Sequence, residues 1–202
     1  MQAFWNAKFY TKDFIYGEAP NNFVKENIEL FVNTKKVMCL GEGEGRNAIY
    51  LADKGMEVEA LDISDIALKK LRRRAKESYL FIKTRHTLFE YWQPDTHYDA
   101  VVCTYLHLPK HNQKMLFEKA LMALNTNGYF IAELFSESQK SFQSGGPKEL
   151  EKLYNLNQTL HMLKTLPFSI DKFSQEIIPY GTEEAPRAKA SVLHIVATKT
   201  TS

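Results

Sequence analysis

One short stretch, from Val37 to Asn47, constrains the fold of this chain more than any other. It opens with an apolar run, which predicts a short buried strand. Alternating glycines follow at Gly41, Gly43 and Gly45, and a helical pattern of apolar residues comes after them. A strand, a glycine-rich turn and a helix form the first half of a βαβ unit. In such a unit the glycines let the backbone approach a ligand, and the helix N-terminus offers unpaired N–H groups. An α/β sheet with a ligand site at this turn is therefore expected.

The charge of the turn indicates what it binds. A dinucleotide fingerprint needs its third glycine three places after the second, and Arg46 occupies that place here. Glu42 and Glu44 lie in the loop that would face a pyrophosphate. Two carboxylates beside two phosphate charges would cost on the order of several kcal/mol at a partly buried site. The turn therefore favours a cofactor that has a cationic end and no phosphate, such as S-adenosylmethionine.

A second acid lies where a ribose would need it. Asp62 falls 21 positions after Gly41, at the end of the second apolar run. An acid at the tip of the second strand is placed to bind ribose hydroxyls. Its alternative role is helix entry, because Ser64 is a suitable N-cap for a helix from Asp65 to Glu77.

These motifs resemble a known family. Gly41-x-Gly43-x-Gly45-Arg46-Asn47 with Asp62 is similar to the class I S-adenosylmethionine-dependent methyltransferases. The closer likeness is to small bacterial enzymes related to the tellurite-resistance and thiopurine methyltransferases. Other pieces of the chain match as well: Tyr16-Gly17-x-x-Pro20-Asn21, His107-Leu108-Pro109 and Gly145-Gly146-Pro147-Lys148. The likeness departs at Cys39, where many members have Asp or Glu, and at Glu42, where relatives often have a small residue or Cys.

The resemblance implies a fold and a set of cofactor residues. The expected fold is a doubly wound seven-stranded Rossmann-like α/β sheet, mostly parallel with an antiparallel last strand, with helices on both faces. It forms a single domain over residues 1–202, in which residues 1–33 are a helical flap over the cofactor. Glu42 or Glu44 is expected to supply the carboxylate that Cys39 lacks. The predicted cofactor-binding residues are Tyr16, Gly41, Glu42, Gly43, Glu44, Gly45, Arg46, Asp62, Ile63, Leu88, Phe89 and Thr104.

Several of these residues have alternative structural roles. Leu88 and Phe89 fall where a loop of the family lines the adenine, yet they are equally suited to the core. Arg46 beside the glycine turn is a candidate for binding an anionic acceptor, or pairs with a neighbouring glutamate as scaffold. His107, in the loop after the fourth strand, is the best-placed candidate for a general base, although a single loop histidine is more often structural. The predicted catalytic residues are therefore His107 and Arg46.

Composition limits the classes of partner. The chain has 202 residues, a net charge of +2 and two cysteines, Cys39 and Cys103, both in apolar strand patterns. That charge is too mild to indicate a nucleic-acid partner. Arg72-Arg73-Arg74, with Lys69, Lys70 and Lys76 nearby, is therefore interpreted as a solvated helix face rather than an RNA-binding run. Neither a signal peptide nor a membrane span is evident, and free buried thiols suit a reducing compartment, so a cytoplasmic location is expected. The histidines show no metal spacing, and the expected state is a monomer or weak homodimer.

The remaining secondary structure follows from periodicity and turn residues. The third strand is predicted to begin at Tyr79 and extend toward Thr87. A turn at residues 125–128 precedes a fifth strand over 129–135, and a polar lid over 136–148 leads into a helix over 150–163. Two final strands, over 170–178 and 191–198, are joined by a polar link and form an antiparallel pair.

The function favoured by the sequence is methyl transfer from S-adenosylmethionine to a small-molecule acceptor, by in-line displacement. The acceptor is interpreted as a thiol, a metalloid oxyanion or a xenobiotic, because the short chain leaves no room for a macromolecule-recognition domain. Three alternatives stay open. They are an NAD-dependent oxidoreductase, a non-catalytic module that binds S-adenosylmethionine, and an RNA methyltransferase.

Overall fold

The computed structural model describes residues 1–142, 144–180 and 188–201. Its centre is a seven-stranded sheet with the order β3-β2-β1-β4-β5-β7-β6. The strands are β1 (Lys36–Leu40), β2 (Glu57–Asp62), β3 (Ile82–His86), β4 (Tyr98–Thr104), β5 (Leu124–Phe135), β6 (Phe168–Tyr180) and β7 (Ala188–Lys199). Strands β1 to β5 run parallel, and β7 is antiparallel to both β5 and β6. The predicted mostly parallel sheet with an antiparallel last strand is confirmed.

Helices cover both faces of this sheet, as predicted. They are α1 (Gln2–Phe9), α2 (Asn22–Glu26), α3 (Arg46–Asp53), α4 (Asp65–Glu77), α5 (Lys110–Ala123) and α6 (Leu156–Lys164). Apolar side chains of α2, α3 and α4 bury one face of the sheet, and those of α5 and α6 bury the other. Short 3-10 turns lie at Ile28–Phe31, Phe89–Tyr91, Glu137–Ser141 and Leu150–Lys152. Among the parts of the chain that the structure covers, no helix is both long and apolar enough to cross a bilayer.

The strand order reverses at β1, which pairs with β2 on one side and β4 on the other. Leu40 at the end of β1 lies beside Leu61 of β2 and Cys103 of β4, so the three strands end at the same edge. Ligands of open α/β sheets bind outside the carboxyl ends of the strands at such a reversal. The glycine loop after β1 and the loop over residues 104–107 after β4 therefore border one crevice.

The predicted start of the third strand is wrong by three residues. β3 begins at Ile82, and Tyr79 and Phe81 are 98% and 87% exposed. The reason is the end of α4, where Tyr79 adopts a left-handed φ of 57° and Leu80 donates its N–H to the Ala75 carbonyl at 2.8 Å. This arrangement satisfies the last carbonyls of the helix. The chain consequently turns through Tyr79 instead of entering the sheet there.

Two further boundaries differ from the prediction. β5 begins at Leu124, and the expected turn at residues 125–128 is instead a register irregularity within that strand. The predicted helix over 150–163 is divided, because Tyr154 is buried and donates its N–H to the Phe135 carbonyl at 2.9 Å. The second part is α6, which begins at Leu156 after the N-cap Asn155, whose side chain accepts from the N–H of Gln158.

The predicted lid and the predicted final link fall only partly within the described residues. Residue 143 of the lid and residues 181–187 of the link lie outside them. The flanking strands β6 and β7 pair along their full lengths, from Phe168 opposite Lys199 to Tyr180 opposite Ala188. The antiparallel final pair is thereby confirmed.

Candidate functional site

The glycine loop after β1 has a backbone that only glycine adopts easily. Gly41 and Gly45 have φ values of +63° and +91°. A Cβ on Gly45 would lie 2.5 Å from Leu71 Cγ of α4, and one on Gly41 would lie 2.8 Å from Leu106 Cδ1. The loop is therefore fixed between α4 and the β4 exit loop, and the start of α3 is held close to the sheet.

Three backbone donors of this loop, at Glu42, Gly43 and Gly45, already have protein partners. Glu42 donates its N–H to the Leu61 carbonyl at 3.1 Å, and Gly45 donates to the Glu42 carbonyl at 3.3 Å. Gly43 donates to Asp62 Oδ2 at 2.8 Å. A phosphate-binding loop instead presents its N–H groups to the ligand.

The N-terminus of α3 is occupied by a carboxylate of the chain itself. Glu42 Oε1 accepts from the N–H groups of Asn47 and Ala48, at 2.8 and 2.7 Å. Burial raises the pKa of Glu42 to about 7, although these hydrogen bonds favour its ionised form. The Glu42 carboxylate thus occupies the position at this helix N-terminus where an anion would bind, which disfavours a pyrophosphate there.

Asp62 lies against the glycine loop at the end of β2. It is 7% exposed, and its two oxygens accept from the N–H groups of Gly43 and Ser64, at 2.8 and 2.7 Å. Burial raises the pKa of Asp62. The Ser64 hydroxyl in turn accepts from the N–H of Ala67 and caps α4 as predicted. The carboxylate therefore fixes both the loop and the helix entry, and it retains lone pairs for further donors.

The second acid of the loop, Glu44, is directed toward the N-terminal segment. Its Oε1 accepts from Lys70 Nζ at 2.6 Å and its Oε2 from the N–H of Ile15 at 2.9 Å. Both glutamates of the loop therefore have protein partners. Their predicted contact with the ammonium of a cofactor stays a prediction.

Helix α1 lies across the crevice. Asn6 joins it to the start of α4, since it donates to Asp65 Oδ1 and accepts from the Ser64 hydroxyl, both at 2.7 Å. Phe9 Cζ would be 3.3 Å from a Cβ on Gly43. The ring centroid of Trp5 lies 5.6 Å from that of His107, in the β4 exit loop. The N-terminal segment thus covers the crevice from the β2 end to the β4 end.

A buried polar network connects the glycine loop to β5 and β7. Asn47 accepts from the N–H of Asn21 at 2.9 Å and donates to the Thr104 hydroxyl at 3.0 Å. Asn21 Nδ2 donates to Glu133 Oε1 at 2.5 Å, and Glu133 Oε2 lies 2.7 Å from His194 Nε2. Sequence reasoning missed Glu133 and His194. The available signal was a charged residue interrupting the apolar run of β5.

Arg46 is surrounded by tyrosines rather than acids. Its Nη1 donates to the Tyr16 carbonyl at 3.4 Å, and its guanidinium carbon lies 5.7 Å from the ring centroid of Tyr105. The Tyr105 ring is 6.0 Å from that of Tyr180 and 4.6 Å from that of Phe135. Within the part of the chain that the structure covers, no carboxylate comes within ion-pair distance of Arg46. The alternative role of Arg46, an ion pair with a neighbouring glutamate, is therefore not found among those residues.

Tyr105 and Tyr180 both lie in an environment that keeps their phenols protonated. Burial raises the pKa of Tyr180 to about 12, and burial together with Glu133 raises that of Tyr105 further. Tyr105 has a left-handed φ of 58°, which is uncommon for a residue with an aromatic side chain. Such a conformation at the exit of β4 is typical of ligand-binding positions.

His107 lies between aromatic rings with its Nε2 buried. That atom has no hydrogen-bond partner among the described residues. Burial lowers the pKa of His107 to about 4, and the charge of Lys8 adds to the effect. The ring is therefore neutral at pH 7, and one buried nitrogen is available to a ligand.

The double glycine after β5 packs against the same aromatic cluster. A Cβ on Gly145 would lie 2.9 Å from Tyr180 Cε1, and one on Gly146 would lie 3.0 Å from Phe135 Cε2. Gln139 holds this segment, because its Nε2 donates to the Gly145 carbonyl at 3.0 Å. The predicted lid therefore contributes to the β5 side of the crevice.

The predicted adenine residues divide between surface and core. Phe89 is 4% exposed and packs in the core with Trp92, at 6.3 Å between ring centroids. Phe89 therefore has the alternative role in the core. Leu88 and Ile63 are partly exposed, and the Ile63 carbonyl lies 2.9 Å from His86 Nε2. No cluster of three or more metal-ligating side chains is found in the described portion of the chain.

Comparison with known proteins begins with the region around the glycine loop. Residues 37–128 match a family model described as a methyltransferase domain. No curated protein matches the chain in sequence.

Solved structures share the whole fold. TehB from Haemophilus influenzae is 18% identical with a TM-score of 0.75, and the match covers 98% of this chain and 67% of TehB. The N-methyltransferase NodS from Bradyrhizobium japonicum WM9, in complex with S-adenosyl-L-homocysteine, is 11% identical with a TM-score of 0.73 and coverage of 98% and 97%. A protein studied for the conversion of a disulfide bond into a thioacetal group during echinomycin biosynthesis is 13% identical, with a TM-score of 0.76 and coverage of 99% and 92%. At these identities the likeness concerns the fold.

Proposed function

We propose that this chain is a class I S-adenosylmethionine-dependent methyltransferase and transfers the methyl group of that cofactor to a small-molecule acceptor. One observation carries the choice of cofactor. The N-terminus of α3 is closed by Glu42, while Asp62 lies beside the same loop. This arrangement disfavours a diphosphate and suits a nucleoside whose far end is cationic. When bound, S-adenosylmethionine supplies an electrophilic methyl group that an aligned nucleophile displaces in line.

Different residues of the chain would contact the ribose, the adenine and the methionine end of the cofactor. Asp62 would accept hydrogen bonds from the ribose hydroxyls, and the backbone from Gly41 to Gly45 would contact the nucleoside. Ile63 and Leu88, both partly exposed, border the adenine. Tyr16 and Thr104 flank the methionine end, because Tyr16 lies beside Arg46 and Thr104 ends β4. Helix α1 closes over the site and excludes water.

The acceptor lies on the β4 and β5 side of the crevice. Arg46 offers a guanidinium to an anionic group, and the rings of Tyr105 and Tyr180 offer flat apolar surface. Burial keeps the His107 ring neutral at pH 7, so its buried Nε2 offers one hydrogen bond to the acceptor. A soft nucleophile such as a thiolate or a metalloid oxyanion needs no base. These features support an anionic thiol or oxyanion over a macromolecule.

The test combines calorimetry with a turnover assay. We expect S-adenosylhomocysteine to bind the purified protein and NAD to give no heat of binding. A panel of thiols, metalloid oxyanions and phenolic or amine xenobiotics is then screened for S-adenosylhomocysteine formation, with the Arg46→Met variant as the matched control. Binding of NAD alone would favour the oxidoreductase alternative. Binding of S-adenosylhomocysteine with no turnover on any acceptor would favour the non-catalytic module.

A further inference from the structure

A lysine in the basic run of α4 is buried in the site instead of lying on the surface. Lys70 is 8% exposed, although the sequence pattern assigns it to a solvated helix face. Its Nζ donates to Glu44 Oε1 at 2.6 Å, to the Asp13 carbonyl at 2.8 Å and to the Thr11 hydroxyl at 3.3 Å. An ammonium has three N–H donors, and here each has an acceptor. A buried lysine with all its donors engaged fixes the groups that it contacts.

Those acceptors belong to two separate parts of the site. Glu44 lies in the glycine loop, and Thr11 and Asp13 lie in the segment that leaves α1. The other oxygen of Glu44 accepts from the N–H of Ile15 at 2.9 Å. The Glu44–Lys70 ion pair therefore joins the glycine loop, α4 and the N-terminal segment at one point.

A second cation extends this attachment along α4. Arg74 Nε lies 3.3 Å from Glu18 Oε2, and Arg74 Nη2 donates to the Glu18 carbonyl at 3.0 Å. The Phe14 ring lies near both cations, 5.6 Å from Lys70 Nζ and 5.5 Å from the Arg74 guanidinium carbon. We call residues 11–18 the strap. The strap is held on α4 by the buried Lys70, which contacts Thr11 and Asp13, and by Arg74, which contacts the more exposed Glu18.

We propose that Lys70 is a positioning residue of the cofactor site, which holds the strap and the helix before it closed over the glycine loop. In this role Glu44 acts on the strap and not on the ammonium of the cofactor. Tyr16, one residue beyond Ile15, is thereby placed beside Arg46. The cofactor part of this inference rests on the proposed function, whereas the attachment of the strap does not.

The first test uses the protein without any cofactor. Lys70→Met retains the length and the apolar stem of the side chain but removes the ammonium, and Lys69→Met changes the exposed neighbour. Cleavage within residues 8–18 by a protease of broad specificity is followed by mass spectrometry. We expect Lys70→Met to be cleaved about tenfold faster or more, since a broken buried ion pair opens the strap locally, and Lys69→Met to match the wild type. Equal cleavage of all three proteins would overturn the attachment.

A double-mutant cycle then separates the strap role of Glu44 from direct cofactor binding. The dissociation rate of S-adenosylhomocysteine is measured for Lys70→Met, Glu44→Gln and the double variant. If the pair acts through the strap, each single variant accelerates dissociation by about tenfold and the double variant accelerates it little more. If Glu44 instead held the cofactor directly, Glu44→Gln would accelerate dissociation equally in both backgrounds, which would refute the proposal. Should Lys70→Met fail to fold, Glu44→Gln alone must reproduce the faster strap cleavage, or the proposal fails.

Discussion

The two sides of the crevice differ in how their polar groups are used. On the glycine-loop side, Glu42, Glu44 and Asp62 each accept two or more hydrogen bonds from the chain itself. On the β4 and β5 side, Arg46 makes one long hydrogen bond and His107 Nε2 makes none among the described residues. Buried polar groups normally have partners. This difference supports the proposed division into a preorganised cofactor side and an acceptor side that a ligand completes.

The two sides also differ in the sequence distance over which they are assembled. The hydrogen bonds that Glu42, Glu44 and Asp62 accept join residues at most 29 positions apart in the chain. The acceptor side brings Tyr16 and Arg46 against Tyr105 and Tyr180, which come from distant segments. Substitutions on the glycine-loop side should mainly change stability and cofactor affinity. Substitutions on the β4 and β5 side should mainly change the turnover of the acceptor.

The largest expected effect is on the packing of the glycine loop. Gly45→Ala places a Cβ within 2.5 Å of Leu71 Cγ at a φ of +91°, and we expect unfolding to become easier by about 3–5 kcal/mol. Gly55→Ala is the matched control, because its φ is +88° but no atom lies within 4 Å of the new Cβ. Its cost should be about 1 kcal/mol, from the left-handed backbone alone. Urea denaturation measures both, and equal losses would contradict the packing argument.

Glu42 gives the cofactor side a pH-dependent stability. Its pKa is raised from 4.5 to about 7 in the folded protein, so the folded state binds more protons than the unfolded state between these values. The contribution of Glu42 to stability therefore falls as the pH rises from about 5 to about 7. Glu42→Gln retains an acceptor for the Asn47 N–H but does not titrate in this range. At pH 8 its free energy of unfolding should therefore exceed that of the wild type by up to about 3 kcal/mol. Denaturation of both proteins from pH 4.5 to 8 checks this, and a constant difference across the range would refute it.

Asp62 should affect cofactor affinity more than any residue of the acceptor side. Asp62→Ala removes the carboxylate that is proposed to hydrogen-bond the ribose, and we expect S-adenosylhomocysteine binding to weaken by about 1–3 kcal/mol. Asp53→Ala, at the exposed end of α3, is the control for loss of a negative charge. Calorimetry under conditions where both variants are folded makes the comparison. Unchanged affinity in Asp62→Ala would remove the ribose role and leave only its hydrogen bonds to the loop.

Substitution of Arg46 tests whether the acceptor side functions separately from the cofactor side. Arg46→Met retains the apolar stem and removes the charge, so kcat/KM for an anionic acceptor should fall about tenfold, or about 1.4 kcal/mol. The affinity for S-adenosylhomocysteine should change by less than about twofold, and Arg46→Lys should restore part of the turnover because it keeps the charge. A parallel loss of cofactor affinity would assign Arg46 to the cofactor instead.

Local sequence patterns account for most of the sheet and for the glycine loop. The apolar runs of β1, β2 and β4, the spacing from Gly41 to Asp62 and the Ser64 cap are short-range features, and each has the predicted place. Boundaries were wrong where tertiary packing prevailed over periodicity. Tyr79 ends α4 in a left-handed turn, and Tyr154 is drawn into the core and divides a helix.

The sequence by itself determined the fold class, the position of the glycine turn and the acids that lie around it. These depend on the identity and spacing of residues within one βαβ unit, where chain connectivity limits the possible geometry. Only the tertiary structure decided which partner each charged group takes. Lys70 is buried and donates to Glu44, and Glu42 accepts from the N-terminus of α3. Glu133 and His194, on the paired antiparallel strands β5 and β7, are hydrogen-bonded to each other. A side chain's charge fixes what kind of partner it needs, but the partner itself is selected by which distant segment packs within hydrogen-bond distance.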